Sequence, residues 1–252
     1  MKNPERIKQF LVIIATVGVL VFNWLAASGY LGGIDTGAVS DKYPTRITPA
    51  GYAFAIWSLI YFGLIAFSIY QALPSKVERF RSIRTVYILN CAVNCAWLYF
   101  WHHEAILICV GLIFLLLGTL IYINIKLQTT ETIGEFWFAK APFSLYFGWV
   151  TVASILNATI ALIYSNVQVS ASLAAYLGAL LIFIATALGV IIRFKLNSVF
   201  YPLAIAWALT AIAVKQSGEQ TLIVATAAVA VNILLIVALT FLINLRSSSR
   251  YE

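Results

Sequence analysis

The run AILICVGLIFLLLGTLIYINI (Ala105–Ile125), set between Glu104 and Lys126, carries no charged side chain along its whole length. A helix of about 20 apolar residues matches the hydrocarbon thickness of a bilayer. In water such a helix would have to be surrounded by protein on every side. The rest of the chain offers no polar shell to do this, because 62% of its residues are hydrophobic and only 10% are charged. Soluble domains carry about 25% charged residues. Lipid is therefore the expected solvent for most of the chain.

Working outward from this stretch, seven more apolar segments predict spans: Phe10–Tyr30, Pro49–Leu73, Thr85–Trp101, Pro142–Tyr164, Ser172–Ile192, Phe200–Val214 and Thr221–Leu245. The expected fold class is an all-α membrane protein with eight transmembrane helices. Thr48 reads as the cap of the second span with Pro49 in its first turn, and Pro142 and Pro202 read as helix starts. The first span is expected to direct Sec-type insertion and to be retained. Ala26-Ala27-Ser28 resembles a signal cleavage site, but the apolar stretch before it exceeds the usual 7–15 residues of such signals.

Lys and Arg test the span count independently. Alternate connections assign Lys2, Arg6, Lys8, Lys76, Arg79, Arg81, Arg84, Lys126, Lys140, Arg193, Lys195, Arg246 and Arg250 to one side. Only Lys42, Arg46 and Lys215 fall on the other. Thirteen of sixteen basic residues on one face follow the positive-inside rule and predict both termini in the cytoplasm. The net charge of +7 is thus a matter of orientation, and nucleic acid is not an expected partner.

Catalytic and metal chemistry find little purchase. The spans hold almost no ionisable side chains away from their ends, which argues against proton relays, pumps and voltage sensors. The chain has no HExxH, GxSxG or Walker pattern, and no mid-span Lys of the kind a retinal protein needs. His102-His103-Glu104 has metal-ligating groups, but solvated turn residues are the expected reading and no metal is expected. Cys91, Cys95 and Cys109 read as buried free thiols. No cofactor is required by anything in the sequence, and an enzyme is not expected.

What remains is aromatic and amide-rich: 7 Trp, 13 Tyr and 16 Phe. Trp24, Trp101 and Trp137 are expected in an interfacial belt. Asn90, Asn94, Asn157 and Asn232 lie within spans, where an amide needs a partner across a helix interface or a cavity. Counted from the span ends at 1.5 Å per residue, Trp57, Asn94 and Asn157 share a level about 11–12 Å below the surface. Trp97 lies one turn above Asn94 and Tyr61 one turn below Trp57. Above them runs Leu31–Thr48, the one long connection on that side, polar, Gly-rich and without periodicity. A site of this kind suits a planar, mostly apolar ligand with a few polar edges.

These same residues carry a family resemblance. Thr48-Pro49-Ala50-Gly51-Tyr52-Ala53-Phe54-Ala55-Ile56-Trp57-Ser58-Leu59-Ile60-Tyr61 resembles the TPPxWxFxxxWxxLY segment of the tryptophan-rich sensory protein/translocator protein (peripheral benzodiazepine receptor, TspO/MBR) family. Leu89–Trp97 is similar to that family's LxLNxxW helix, and Trp149–Asn157 to its WVxxAxxLN helix. The departures are Tyr52, where the family often has Trp, and Leu98-Tyr99-Phe100, where it has Pro. The resemblance implies a five-helix bundle over roughly residues 7–164 that binds tetrapyrroles, sterols or synthetic aromatic ligands beneath the first loop. Carried over, Trp57, Asn94, Trp97, Trp149 and Asn157 would line the pocket, flanked by Phe54 and Tyr61. By span counting, Trp149 falls nearer the cytoplasmic half than the others.

The expected division is residues 1–164 as the ligand-binding bundle and 165–252 as three further helices with a short cytoplasmic tail. Small residues in the sixth and eighth spans (Ala174, Ala175, Gly178, Ala185, Ala225, Ala227, Ala228, Ala230) suggest close packing or a homodimer surface. The expected function is a membrane receptor or carrier for a planar hydrophobic ligand such as a porphyrin, with lipid and that ligand as partners. The alternative is a small-solute transporter that uses all eight helices.

Overall fold

The computed structural model describes residues 4–248, with side chains described through residue 240. Lys2 and Arg250, and the side chain of Arg246, lie outside the described part. All regular structure among the described residues is helical: α1 (Pro4–Ala27), α2 (Thr36–Asp41), α3 (Ile56–Gln71), α4 (Arg81–His102), α5 (Ile106–Lys126), α6 (Ile133–Glu135), α7 (Ala141–Tyr164), α8 (Ala171–Lys195), α9 (Phe200–Lys215) and α10 (Thr221–Ser248). Eight of these are long, and each falls on one of the eight apolar segments. A 3₁₀ turn, Gly51–Ala55, leads into α3, and a π-helical turn, Phe136–Lys140, joins α6 to α7.

Six helical runs are long and apolar enough to cross a bilayer: Pro4–Ala27, Gly51–Gln71, Ile106–Lys126, Ile133–Tyr164, Ala171–Lys195 and Thr221–Thr240. The chain is a multi-pass integral membrane protein. α4 is diluted by Arg81, Arg84, Asn90 and Asn94. α9 has only 16 residues, but much of its surface is covered by α7, α8 and α10.

α7 is the central post. Sixteen of its residues are buried, all around the helix, as expected for an apolar helix enclosed by others. It packs on α3 and α5 on one side and on α9 on the other, while α9 in turn packs on α8 and α10. Close approach needs glycine at two crossings. A Cβ on Gly148 would run into the Tyr201 carbonyl oxygen of α9, and one on Gly63 of α3 would sit 2.6 Å from Pro142 Cβ. Small residues of the late helices serve packing within the chain: Gly178, Ala185, Ala227 and Ala230 are buried, and a Cβ on Gly189 would strike Leu234 of α10.

Two local expectations are corrected and one is refined. Thr48 does not cap α3; its hydroxyl accepts from Thr45 N–H at 2.9 Å, closing a turn before the buried Pro49. Ala50 N–H instead donates to Ala211 O of α9 at 3.1 Å, so the helix entrance is tied to α9 and sunk into the bundle. Pro142 is the second residue of α7, as expected of a helix start, although the π-helical turn before it carries the helical run back to Ile133. A widened turn is one way a helix absorbs the missing N–H and the bulk of a proline ring. Trp24 and Trp137 are exposed, at 62% and 53%, as a belt requires, but Trp101 is only 2% exposed and belongs to the interior.

Candidate aromatic ligand site

The loop 31–48 is more ordered than its polar composition predicts. Asp35 caps α2 by accepting from the N–H groups of Gly37 and Ala38 at 2.8 and 2.9 Å. A Cβ at Gly37 would lie 3.1 Å from Asp35 Oδ1 and 3.2 Å from the Phe54 ring, so a larger residue would have to displace one of them. The loop is then bolted to the end of α4. Trp101 Nε1 donates to Thr36 O at 3.1 Å, and Thr36 Oγ1 lies 3.2 Å from His102 Nε2. Glu104, in a left-handed turn with φ 56°, takes Lys42 Nζ and the Tyr43 hydroxyl, each at 2.6 Å.

These contacts perturb both titrating groups. The Lys42 ammonium, followed by the Tyr43 hydroxyl, holds the Glu104 carboxyl below its ordinary 4.5. Partial burial, then the Glu104 charge, pushes Tyr43 up to about 12. His102 is buried rather than solvated, and it diverges from His103, whose Nδ1 lies 2.8 Å from Tyr99 O. Among the described residues no group of three His, Cys, Asp or Glu side chains is arranged to hold a metal.

Beneath the loop the aromatic side chains form a box. Trp57 stacks on Tyr61 with centroids 5.4 Å apart and stands edge-on to Tyr146 and Trp149 at 5.6 and 6.3 Å. Phe54 meets Trp149 edge-on at 5.8 Å, and Trp97 stacks on Trp101 at 5.3 Å. Trp149 thus reaches Trp57 despite its expected depth. Two large rings bridge the difference, their centroids 6.3 Å apart.

The amides are engaged among themselves. Tyr61 donates to Asn23 Oδ1, Asn23 Nδ2 donates to Asn94 Oδ1 at 2.9 Å, and Asn94 Nδ2 donates to the Tyr146 hydroxyl at 3.0 Å. Trp97 Nε1 donates to Asn157 Oδ1 at 3.1 Å. Asn90 bridges to Thr119 of α5, whereas Asn232 is exposed and donates only to Ala228 O of its own helix.

A cavity of about 30 Å³ remains inside the box, touched by Phe54, Trp57, Trp97, Trp149 and Asn157. That is about one water's share of liquid volume. A second recess of about 400 Å³ opens beside it between α1, the loop and α3, and includes Asn23 and Tyr61. Phe54 and Trp57 line both spaces and form the partition. Asn94 touches neither; it holds the polar chain behind the box. Two residues of the inner cavity have polar atoms that are buried without a hydrogen-bond partner: Trp149 (4% exposed) at Nε1 and Ser40 (1% exposed) at Oγ. Buried polar groups are nearly always paired, so each such orphan needs an explanation.

Asn23, Ser40 and Tyr146 join the site without being expected there, and Trp101 joins it from the expected belt. Asn23 was open to the argument used for the other four amides, being a polar side chain within an apolar span. Ser40 carried no signal.

A family model described as TSPO-like protein matches residues 9–241. The chain belongs to the TSPO-like protein family. The match runs well past Tyr164, through α8 and α9 and into α10, so it covers the three late helices as well as the motifs around Trp57, Trp97 and Trp149. No curated protein and no solved structure gives a significant match.

Proposed function

We propose that this TSPO-like protein is a membrane receptor or carrier that binds a planar hydrophobic ligand, tetrapyrrole or sterol-like, in the aromatic site beneath the loop. The observation that carries this reading is the pair of orphaned polar atoms, Trp149 Nε1 and Ser40 Oγ, in a box whose amides are otherwise satisfied. A bound molecule with an acceptor at its edge would pair the indole N–H and relieve a cost of about 1–3 kcal/mol per buried unsatisfied group. The 30 Å³ cavity holds no such molecule as it stands. Rotation of Phe54 and Trp57 would join it to the 400 Å³ recess, giving a volume within the usual range for ligand pockets. Aromatic faces would then stack a ring system at about 0.5–1.5 kcal/mol per pair beyond burial.

The same reading has all eight long helices crossing the membrane, α4 and α9 shielded by their neighbours, and both termini cytoplasmic by the thirteen-to-three split of basic residues. It assigns no catalytic role and no required cofactor, and a homodimer is compatible with it. The test is quenching of tryptophan fluorescence by protoporphyrin in detergent. Saturable quenching should weaken in Trp57→Phe and Trp149→Phe. Quenching that both substitutions leave unchanged would count decisively against this pocket.

The second reading, a small-solute transporter using all eight helices, is favoured by the ties between α9 and the entrance of α3. Trp207 Nε1 donates to Ala53 O at 2.9 Å, and Ala50 N–H to Ala211 O. Solute flux in proteoliposomes that is insensitive to porphyrin would favour it.

A further inference from the structure

On the same end of the bundle, but sharing no residue with the aromatic site, a cleft of about 740 Å³ separates the end of α7 from the first half of α8. One wall is apolar, built from Leu162 and Ile163 of α7 and Leu177 and Leu181 of α8. The rim is polar, and its charges are unequally satisfied. Lys215 pairs with Asp41 at 3.1 Å, and Gln216 Nε2 donates to Thr45 O at 3.2 Å. Arg46 is half-buried on the same rim, yet among the described residues its guanidinium has neither an ion pair nor a hydrogen bond. The Glu219 carboxylate, also on the rim, has no partner among them either.

Arg46 is not there by slackness of the loop. Thr45 Oγ1 accepts from Ile47 N–H at 3.1 Å, and Thr48 Oγ1 accepts from Thr45 N–H, so the backbone around Arg46 is pinned. Gly178 of α8 then lets it lie close, since a Cβ there would stand 3.1 Å from Arg46 Cβ. A fixed cation and a separate free carboxylate sit above an apolar wall, at the helix ends where lipid head groups lie.

We infer that this cleft binds a zwitterionic phospholipid with a primary ammonium head group, its phosphate on Arg46, its ammonium on Glu219 and an acyl chain along Leu162, Leu177 and Leu181. A guanidinium matches a phosphate with two parallel hydrogen bonds. A primary ammonium donates hydrogen bonds to a carboxylate, which a quaternary choline does not. A head group without an ammonium would leave the Glu219 carboxylate unanswered, since Asp41 is already paired with Lys215. The volume lies within the 300–1,000 Å³ range of ligand sites.

Native mass spectrometry of the full chain, offered equal amounts of phosphatidylethanolamine, phosphatidylcholine and phosphatidylglycerol with identical acyl chains, tests this. The wild type should retain the ethanolamine lipid preferentially. Arg46→Gln should reduce retention of all three about tenfold, the scale of one lost charged hydrogen bond. Glu219→Gln, at an exposed position, should lower retention of the ethanolamine lipid to the level of the choline lipid, with the melting temperature of both variants as a check on folding. Equal retention of the three lipids by the wild type, preference for phosphatidylglycerol, or an unchanged preference in Glu219→Gln would each overturn the assignment.

Discussion

The two ends of the bundle solve the problem of polar groups in opposite ways. At the end away from the loop, Arg84 is fully buried yet meets Gln71 Oε1 at 2.9 Å, Glu5 Oε2 at 3.0 Å and the carbonyls of Lys76 and Val77. Gln9 and Gln71 exchange side-chain-to-backbone bonds at 2.7 and 3.1 Å. Buried Glu135 takes Lys76 Nζ at 2.9 Å, Arg79 Nε at 3.0 Å and Glu131 N–H at 2.9 Å. This end ties α1, α3, α4 and the α5–α7 connection together through saturated charge. The loop end holds its aromatic rings around a small void and leaves Trp149 Nε1 and Ser40 Oγ unpaired. Saturation marks a lock; the unpaired atoms are the observation on which the proposed ligand site rests.

If so, the largest effect on stability belongs to the locked end. Arg84→Met strands Gln71 Oε1 and the carbonyls of Lys76 and Val77 and takes one cation from Glu5, which keeps Lys8 at 3.0 Å; it should cost about 3–5 kcal/mol, the scale for breaking a buried ion pair. A melting temperature in detergent close to that of the wild type would erase the contrast between the ends.

The next effect sharpens the contrast within the loop end. Trp97→Phe removes the bond to Asn157 and strands a buried acceptor, at about 1–3 kcal/mol. Trp149→Phe removes no hydrogen bond, so its stability loss should be the smaller of the two, while porphyrin quenching weakens. A Trp149→Phe protein less stable than Trp97→Phe would mean that the indole N–H is already paired.

The smallest effect concerns acid. Because the folded Glu104 carboxyl titrates below its ordinary 4.5, the latch it makes with Lys42 and Tyr43 contributes stability above that value and loses it as pH falls through the folded pKa. Hydrogen exchange in residues 35–48, corrected for its intrinsic pH dependence, should rise on acidification in the wild type. In Glu104→Gln it should be raised at neutral pH and insensitive to acid.

Much of the fold was legible because a bilayer imposes a simple rule on sequence. Long apolar runs end where charge begins, and all eight long helices fall on segments such as Ala105–Ile125 and Thr221–Leu245. Depth was less legible than existence. Counting from Pro49 treats that residue as a free helix start, whereas it is buried and Ala50 N–H is bound to a helix over 150 residues later. Trp101 looks interfacial by position, and only the loop folding back over it turns it into core. The orphaned atoms were invisible for another reason. Being unpaired is a property of what neighbouring helices fail to offer, and no residue type announces it.

The entrance of α3 has a consequence for how the protein is made. The partners that fix it, Ala211 O for Ala50 N–H, Trp207 for Ala53 O and Gln216 for Thr45 O, all belong to α9 or its end. A ribosome working from the N-terminus delivers the box, the loop and α7 well before it delivers these groups. Without α9 the loop keeps only its ties to α4, through Trp101 and Glu104, and the groove at Gly148 lacks the helix that fills it. The α3 side of the aromatic box therefore gains its last hydrogen bonds only when α9 is in place.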